Sequence, residues 1–537
     1  MNYLRKLIYS TTFGMILVSS CNKDNLKDLN VNPQAASTID VNFLFTSVQL
    51  GVASGGSQGD NRYIDWRTNI GIASTTIQSF ASIGGIANNG DKYQEQNAES
   101  YTAPWDFIYK DLRNVGEILR QTGPGGFAEG KNNNTKQAAR ILRAFCFHRL
   151  TDYYGRVPYS QATQAQEGTF FPEYDKQKDI YLDLLKELDE ASSAFSTDAD
   201  PGFAGADLYY KGDVSKWKKW GYSLMLRLAM RISTVDATDA NTYVTKAIAG
   251  GVFQSNLDNV IVPMAVGPSQ WVNQNGISRA LMPGDGGEIS TDFLSKTLIN
   301  FMKGSNTAST ADDDPRLMIL SGGIYTWTSA NNYTPTNVDP LGQKGMPNGN
   351  DINMLKVIEN NPNLDPVSTY SRMNPHLLDL DEPYMLMNYG EVELLLAEAA
   401  QKGIGGLTAA SAATHYNAGV KASMQMYIIN DPSFLVSDAA VNTYLAAHPY
   451  GVEKPALEMI GNQYWINHFM NWWEAWSNWR RTGYPVLVPT NYPGNVTGGT
   501  IFQKLKYPSS EVAGNPKFSG ASPNDYTTKV WWAGGPE

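Results

Sequence analysis

Apolar residues recur at steps of three and four along much of the chain, which is the spacing of one buried face of a helix. The pattern predicts helices over the ranges 37–54, 64–84, 101–119, 138–153, 177–195, 214–233, 383–403 and 455–481. Asp213 is a suitable N-cap for the helix that follows it, and Gly483 with Pro485 ends the last one. That last helix is apolar on more than one face, which favours a position deep in a large core.

The pattern loosens between about 255 and 380, where Gly, Pro, Asn and Ser dominate. A short helix is indicated near 289–303, and ILSGGIYTWTS at 319–329 is a possible strand. A turn-rich stretch of this length is more than a connector, and such loops in a compact protein usually bind something or are disordered. We therefore expect an irregular insertion in an otherwise helical fold.

The first twenty residues have the order of an export signal. Arg5 and Lys6 precede the apolar run 7–18, which is too short to span a bilayer, and the run closes in Val-Ser-Ser-Cys. This order resembles a lipoprotein signal peptide over 1–20, with a lipid on Cys21 and a polar tether over 21–36. The alternative is an ordinary secretory signal that contains a chance cysteine. The folded domain is expected over 37–537.

The hydrophobic fraction, net charge and cysteine count limit which class of protein this chain belongs to. A hydrophobic fraction of 42% with only 18% charged residues is typical of a globular chain. The net charge of −10 becomes −12 when Arg5 and Lys6 leave with the signal, which disfavours nucleic acid as a partner. With Cys21 lipidated, Cys146 is the one remaining cysteine, so no disulfide within the chain is expected.

Motifs for catalysis are missing from the sequence. The 5 histidines form no HExxH or HxH pattern, and there is no GxSxG elbow or phosphate-binding loop. Glu391 and Glu398 are two turns apart beside an apolar helix face, so they are either the acid and base of a glycosidase or buried partners of arginines. We favour arginine partners, because structural ion pairs are commoner than catalytic dyads. Arg227 and Arg231, four residues apart, point from one side of a helix towards such carboxylates.

Three consecutive aspartates, Asp312, Asp313 and Asp314, offer oxygen ligands for calcium. The alternation of ligands that is typical of a calcium loop is absent, so a capped turn before Pro315 is favoured. No cofactor is otherwise indicated.

Several segments together resemble the SusD/RagB family of outer-membrane lipoproteins. In chain order they are the lipobox, RILRAFCFHRLTDYYGRVPY, DLYYKGDVSKWKKWGYSLMLRLAMRIS, YGEVELLLAEAAQ, EAWSNWRRTGYP and KYPSSEVAGN. Each segment alone is weak, but their shared order spans most of the chain.

The resemblance implies an all-α fold, in which tetratricopeptide-like helix pairs form a scaffold beside a loop-rich ligand-binding lobe. It also implies a cell-surface protein that is not an enzyme. Such a protein binds an oligosaccharide or another nutrient and covers a SusC-like TonB-dependent transporter in the outer membrane. Some relatives hold calcium. Two alternatives stay open: a secreted glycosidase that uses Glu391 or Glu474, and a binder of peptides or other nutrients.

Sugar recognition needs flat apolar faces for C–H surfaces and fixed polar groups for hydroxyls, so aromatic residues in loops are the best candidates. Ligand contacts of the resembled family come from an early segment and from the middle loop region. Three clusters fit these regions: Tyr63, Trp66 and Arg67; Trp271, Asn273 and Gln274; and Tyr325 with Trp327.

Overall fold

The computed structural model describes residues 39–54, 63–198, 200–268, 273–283, 291–305, 308–329 and 332–537. The predicted signal peptide over 1–20, the lipidated Cys21, the tether over 21–36 and Trp271 lie outside the described residues. Val41–Glu537 forms one compact unit.

Helices dominate this unit, as the pattern of apolar residues predicts. In chain order they are α1 Val41–Ser54, a π-helix Ile64–Ser74, α2 Asn88–Asp91, α3 Ala98–Thr122, α4 Asn133–Tyr154, α5 Gln177–Ser193, α6 Phe203–Ala206, α7 Val214–Arg231, α8 Ala237–Gly250, α9 Gly276–Leu281, α10 Lys296–Met302, α11 Leu317–Leu320, α12 Ile352–Ile358, α13 Tyr389–Lys402, α14 Ala409–Gln425, α15 Asp438–Ala447, α16 Ala456–Asn467, α17 Trp472–Thr482 and α18 Ser509–Gly514.

Successive long α-helices pack against each other, with only short elements between them in the chain. The pairs with extensive contact are α1 with α3, α3 with α4, α4 with α5, α5 with α7, α7 with α8, and α13 with α14. This helix-dominated, tetratricopeptide-like arrangement confirms the predicted fold class.

The strands are short and antiparallel. They are β1 Phe80–Ser82, β2 Val260–Val262, β3 Asp292–Leu294, β4 Ser321–Ser329, β5 Asn332–Asn337, β6 Arg372–Met373 and β7 Tyr384–Met387. β1 pairs with β3 and β2 pairs with β7, whereas β4 lies between β5 and β6. Most of these strands fall within the predicted insertion, and β4 confirms the strand expected at 319–329.

The main core contains the aromatic side chains of the long helices. Its largest fully buried apolar side chains are Trp217, Trp220, Trp472, Trp476 and Trp532. A smaller hydrophobic cluster, formed mostly by residues of the insertion, contains Phe293, Met346, Leu355 and Tyr370. Within the described residues, no helix is both long enough and apolar enough to cross a membrane.

Three predicted helices have the wrong boundaries. The helix expected over 383–403 begins only at Tyr389, because Tyr384–Met387 forms β7. The helix expected over 64–84 ends early, because the chain passes from the π-helix into β1 at Phe80. The helix expected over 455–481 is two helices, α16 and α17, which are separated by a turn in which Met470 has a φ of 79°. Asn69 of the π-helix stabilises this turn. Its amide donates to the Met470 carbonyl at 2.8 Å, and its oxygen accepts from the Trp473 amide at 3.1 Å.

Three of the longer helices, α8, α14 and α15, have no counterpart in the sequence prediction, and neither do several short helices. All three are rich in Ala. Few residues of α8 and α15 are buried, and several of the buried residues of α14 are small, so their apolar stripes are weak. By contrast, the predicted cap of α7 is confirmed: Asp213 accepts hydrogen bonds from the amides of Ser215 and Lys216.

Candidate functional site

The first predicted cluster, Tyr63, Trp66 and Arg67, forms a continuous patch at the start of the π-helix, and all three side chains are partly exposed. The Arg67 guanidinium lies 4.0 Å from the centre of the Trp66 ring and 5.5 Å from that of Tyr63. Tyr63 and Trp66 meet edge to face at 6.1 Å. We call these three residues the aromatic patch.

Two residues of α3 hold the aromatic patch in place. Glu99 forms a 2.6 Å ion pair with Arg67, and Phe107 packs against Tyr63 with ring centres 6.0 Å apart. Arg67 Nε is buried without a hydrogen-bond partner, so one donor of the guanidinium is unused. Sequence analysis missed Glu99 and Phe107. The helical pattern of α3 is visible in the sequence, but nothing in it indicates which turn faces the π-helix.

The π-helix is anchored by buried polar groups on the side opposite the exposed patch. Asp65 accepts hydrogen bonds from the Tyr384 hydroxyl at 2.9 Å and from Asn69 at 3.0 Å. Burial raises the pKa of Asp65 to about 7, although these hydrogen bonds and the charge of Arg149 oppose the rise. Thr68 donates to the Ser100 carbonyl at 2.7 Å, which ties the π-helix to α3.

The described part of the second cluster lies just before α9, which packs against the π-helix. Gln274 is buried, donates to the Val266 carbonyl at 2.7 Å and accepts from Arg279. The Asn273 carbonyl accepts from the Ala265 amide at 2.8 Å, and the Asn273 side chain is partly exposed. The fold therefore brings the first two clusters onto neighbouring elements, with Asn273 as the more accessible residue of this pair.

The third cluster is buried within the sheet of β4, β5 and β6. Tyr325 is fully buried and its hydroxyl donates to the Met373 carbonyl. Trp327 is 8% exposed, packs against Tyr325 at 6.4 Å, and has an unpartnered Nε1. Neither ring offers an open face in this structure, because packing against neighbouring strands covers both.

The carboxylates of the glycosidase alternative are buried and paired. Arg227 binds Glu391 with two hydrogen bonds of 2.5 and 2.6 Å, and His468 lies 3.1 Å from the same carboxylate. Attraction to Arg227 and to His468 outweighs burial and holds the pKa of Glu391 well below its usual value. These contacts confirm that Glu391 is an arginine partner.

Glu474 and Glu398 are also engaged by arginines. Glu474 is fully buried against Arg231 and accepts from the Tyr464 hydroxyl at 2.8 Å. Glu398 accepts two hydrogen bonds from Arg481, at 2.5 and 2.6 Å, and its pKa is lowered to about 2 despite burial. None of the three carboxylates is placed to reach a substrate.

Two of the three consecutive aspartates, Asp312 and Asp314, are engaged by other residues of the protein. Asp314 is buried and binds Arg316 through both oxygens, at 2.6 and 2.9 Å. Asp312 accepts from the Ser305 amide and hydroxyl at 3.0 Å. Asp314 also caps the turn, since its carboxylate accepts from the Arg316 amide at 2.9 Å. This geometry favours the capped turn over a calcium loop.

One trio of metal-ligating side chains in the described part of the chain has its ligand atoms within 4.8 Å of one another: His148, Asp152 and Glu474. Arg231 already pairs with Glu474 and lies 3.7 Å from Asp152. Burial, together with Arg227 and Arg231, lowers the pKa of His148 well below its usual value. Arginine charge already balances these carboxylates, so the trio fits an internal ion network better than a metal centre.

Comparison with known proteins places these features in a family context. A family model described as SusD-like, starch-binding and associating with the outer membrane matches residues 33–508. The structure of a chitin-binding protein is 31% identical, with a TM-score of 0.76, and the match covers 92% of this chain and 100% of that one.

Two further structures share the fold. A SusD homologue from Bacteroides uniformis is 23% identical, with a TM-score of 0.69, over 92% of this chain and 99% of that one. A chitin-binding SusD homologue from Flavobacterium johnsoniae is 22% identical, with a TM-score of 0.69, over 92% and 98% of the two chains. No protein of curated function matches the chain.

Proposed function

Because this chain belongs to the SusD-like family, which is described as starch-binding and associated with the outer membrane, we propose that it captures a specific glycan at the cell surface. In this proposal Cys21 carries a lipid that anchors the protein to the outer membrane. The protein then delivers its ligand to a SusC-like TonB-dependent transporter. The family is one of binding proteins that are generally not catalytic.

The aromatic patch is the observation that carries this proposal. Among the described tryptophans, Trp66, Trp479 and Trp531 keep part of their surface exposed, and Trp66 alone of these lies beside an exposed tyrosine and a stacked guanidinium. Aromatic rings suit the C–H face of a sugar, and a guanidinium donates hydrogen bonds to its hydroxyls. We infer that the glycan lies on this patch and extends towards Asn273 and Gln274; Trp271 stays a candidate from the sequence, outside the described residues.

Tyr325 and Trp327, which the sequence predicts as ligand contacts, are buried in this structure. Tyr333 of β5 packs against Tyr325 at 5.9 Å, and β5 itself is largely exposed. Trp327 Nε1 is buried without a hydrogen-bond partner. In this structure both rings therefore contribute to packing within the sheet.

Binding to a panel of oligosaccharides and peptides tests the proposal. The chitin-binding protein at 31% identity makes chitin oligomers one arm of the panel, and starch oligomers are a second arm. The Trp66→Ala variant should lose affinity for the bound glycan by at least about tenfold, as expected for removal of a stacking ring worth at least about 1.4 kcal/mol. Calorimetry or a fluorescence titration measures this change.

Trp531→Ala is the matched control. Trp531 is also partly exposed but packs beside Tyr181 of α5, with ring centres 6.5 Å apart. This variant should bind like the wild type. Equal affinity of the wild type and Trp66→Ala would contradict the site, whereas binding of peptides in place of glycans would contradict the ligand class.

The glycosidase alternative makes the opposite prediction for product formation. With Glu391 and Glu474 buried against arginines, the purified protein should release no reducing ends from a glycan that it binds. Release that is abolished by Glu474→Gln would overturn the binding-only proposal.

Delivery to a transporter is tested in native membranes. Affinity isolation of the lipidated protein from gently solubilised outer membranes should recover a TonB-dependent transporter in stoichiometric amounts. Recovery of the protein alone, with its glycan binding intact, would limit the function to capture.

A further inference from the structure

Helix α10, Lys296–Met302, lies among three adjoining depressions that the sequence did not indicate. Their volumes are about 610, 520 and 400 Å³. Asn300 borders all three, and neighbouring depressions also share Thr297 or Gly304. Ligand pockets usually have volumes of about 300–1,000 Å³, so each depression is large enough to hold part of a ligand. We call the three together the α10 groove.

The largest depression combines aromatic walls with amide groups. Phe301 is partly exposed and meets the buried Trp465 edge to face at 5.7 Å. Tyr444 is held by the Gln463 amide, which donates to its hydroxyl at 3.0 Å. Arg316 fixes the other end of Gln463 by donating to its oxygen at 2.7 Å. These side chains are therefore preorganised on one wall of the depression.

Asn462 is the unusual residue on this wall. Its side chain borders the largest depression, the residue is only 4% exposed, and Oδ1 is buried without a hydrogen-bond partner. A buried polar group without a partner is unfavourable for folding, so a hydrophobic residue would be expected here unless the amide had a use. A hydrogen-bonding occupant of the depression supplies that use.

The depression of about 520 Å³ is fixed in place by Gln78, which lines it. Thr297 of α10 donates to the Gln78 oxygen at 2.8 Å, and the Gln78 amide donates to the Val488 carbonyl at 2.6 Å. The buried hydroxyl of Ser295 also bonds to the Gln78 backbone. The groove is therefore a built feature that joins α10 to the segment after α17. Asn300 and Asn491 present exposed amides along it.

Three of the five basic side chains that line the groove pair with carboxylates, whereas Lys296 and Lys303 form no ion pair within the described residues. Lys344 pairs with Glu359, Lys454 with Glu458, and His448 with Glu453. Lys303 donates to two backbone carbonyls, and Lys296 is exposed to solvent. A lining of amides, hydroxyls and aromatic edges matches an uncharged, polyhydroxylated chain better than a strongly charged ligand.

We propose that the α10 groove is a second glycan-binding site, in which an uncharged oligosaccharide lies along α10 and hydrogen-bonds to Asn462 and Asn300. This inference rests on the proposed function, since it assumes that the protein binds glycans. It adds a site of distinct residues on α10, α16 and the segment after α17. A chain long enough to fill several depressions binds more tightly than a short one.

The first test blocks the groove from its exposed side. Asn300→Trp places a large ring among all three depressions without disturbing the core. It should weaken binding of a long neutral oligosaccharide, such as a hexamer of the sugar that the wild type binds, by at least about tenfold. Asn417→Trp, at an exposed asparagine of α14 outside the three depressions, is the matched control and should bind like the wild type.

The second test separates binding from folding. Asn462→Leu keeps the number of side-chain heavy atoms but replaces the unpartnered amide by an apolar group. The thermal midpoint should rise, because a buried polar group is lost, while affinity for the hexamer should fall about fivefold through loss of a hydrogen bond. A merely structural asparagine would not change stability and affinity in opposite directions.

The outcomes distinguish this inference from the proposed function. If Trp66→Ala weakens binding but Asn300→Trp and Asn462→Leu both bind the hexamer like the wild type, the groove is not a glycan site and the function stands. If the wild type itself binds no glycan in the panel, both the function and the groove assignment are overturned.

Discussion

At the scale of single residues, the buried arginine–carboxylate pairs are the most informative feature. Arg227 and Glu391 are both almost fully buried, and each uses two atoms to bind the other. A buried charge is tolerated when its partner is present and costs several kcal/mol when the partner is removed. These pairs therefore fix how α7 meets α13 and α17, and they contribute specificity of packing more than net stability.

Removal of one charge from such a pair should be strongly destabilising. Glu391→Gln removes the closer carboxylate of the buried Arg227 and leaves it only Glu474, which lies 3.9 Å away and already pairs with Arg231, so the free energy of unfolding should fall by about 3–5 kcal/mol. Denaturant unfolding followed by tryptophan fluorescence measures the change.

Glu190→Gln is the control for that variant. Glu190 binds Arg140 and Lys186 at the surface, and 47% of its side chain is exposed. Solvent screens such pairs, so this variant should differ from the wild type by at most about 1 kcal/mol. Similar losses for the two variants would show that the Arg227 pair is not specially dependent on burial.

Asp65 gives the fold a dependence on pH. Burial raises its pKa from 3.8 to about 7, so the folded state holds a proton that the unfolded state releases near pH 4. Its contribution to stability is complete below about pH 3.8 and is lost as the pH rises through about 7. Glu382, with a pKa raised to about 7, acts in the same direction. Glu398, with a pKa lowered to about 2, acts in the opposite direction, but only below about pH 4.5.

The protein should therefore be more stable at pH 5 than at pH 8. Asp65→Asn imitates the protonated side chain and should reduce this difference by at most about 3 kcal/mol, because only the interval from pH 5 to about 7 contributes, at about 1.4 kcal/mol for each pH unit. Unfolding midpoints of both proteins at the two pH values measure the effect. An unchanged difference in the variant would mean that Asp65 does not hold the proton.

At the scale of secondary-structure elements, the packing of α14 against α13 shows why α14 was not predicted from the sequence. α14 carries Gly419 where it crosses α13, so the two backbones approach closely. Small residues allow this approach but give no apolar stripe that sequence analysis could detect. Packing against α13, rather than a regular spacing of apolar residues, therefore stabilises this segment as a helix.

Gly419→Ala tests the close approach. The added Cβ would lie 2.8 Å from Leu394 Cγ and 3.1 Å from the Gly390 carbonyl oxygen, so one helix must shift. Overpacking of this kind costs about 1–3 kcal/mol, which a thermal melt detects as a lower midpoint. Gly205→Ala in α6, where no atom lies within 4 Å of the new Cβ, should leave stability unchanged or slightly higher. A neutral effect at Gly419 would show that the helices can separate without loss.

At the scale of the whole molecule, we propose that the lipid on Cys21 retains the protein at the outer membrane and that the folded domain binds the glycan. Cys21→Ala should abolish retention at the outer membrane, because no lipid can be attached, while leaving glycan affinity in solution unchanged. Fractionation of cells and titration of the purified variant measure the two properties. Loss of glycan affinity in the variant would show that the anchor and the lobe are not independent.

The sequence by itself determined the helix-dominated fold and the family, because helical periodicity and the conspicuous segments are local properties of the chain. It also indicated that Arg227 and Arg231 needed carboxylate partners. Tertiary structure decided which carboxylates these are. It also divided 455–481 into two helices, at a turn that is stabilised by one hydrogen bond donated by Asn69 and one that Asn69 accepts.

Tertiary structure likewise decided which candidate residues are accessible. Trp66 and Trp327 look alike in sequence, but packing leaves the first partly exposed and buries the second. The α10 groove could not be predicted, because Gln78, Asn300, Asn462 and Val488 are far apart in the chain. A concave site forms where segments that are distant in the chain pack together. The periodicity of apolar residues within one segment does not reveal which other segments it will contact.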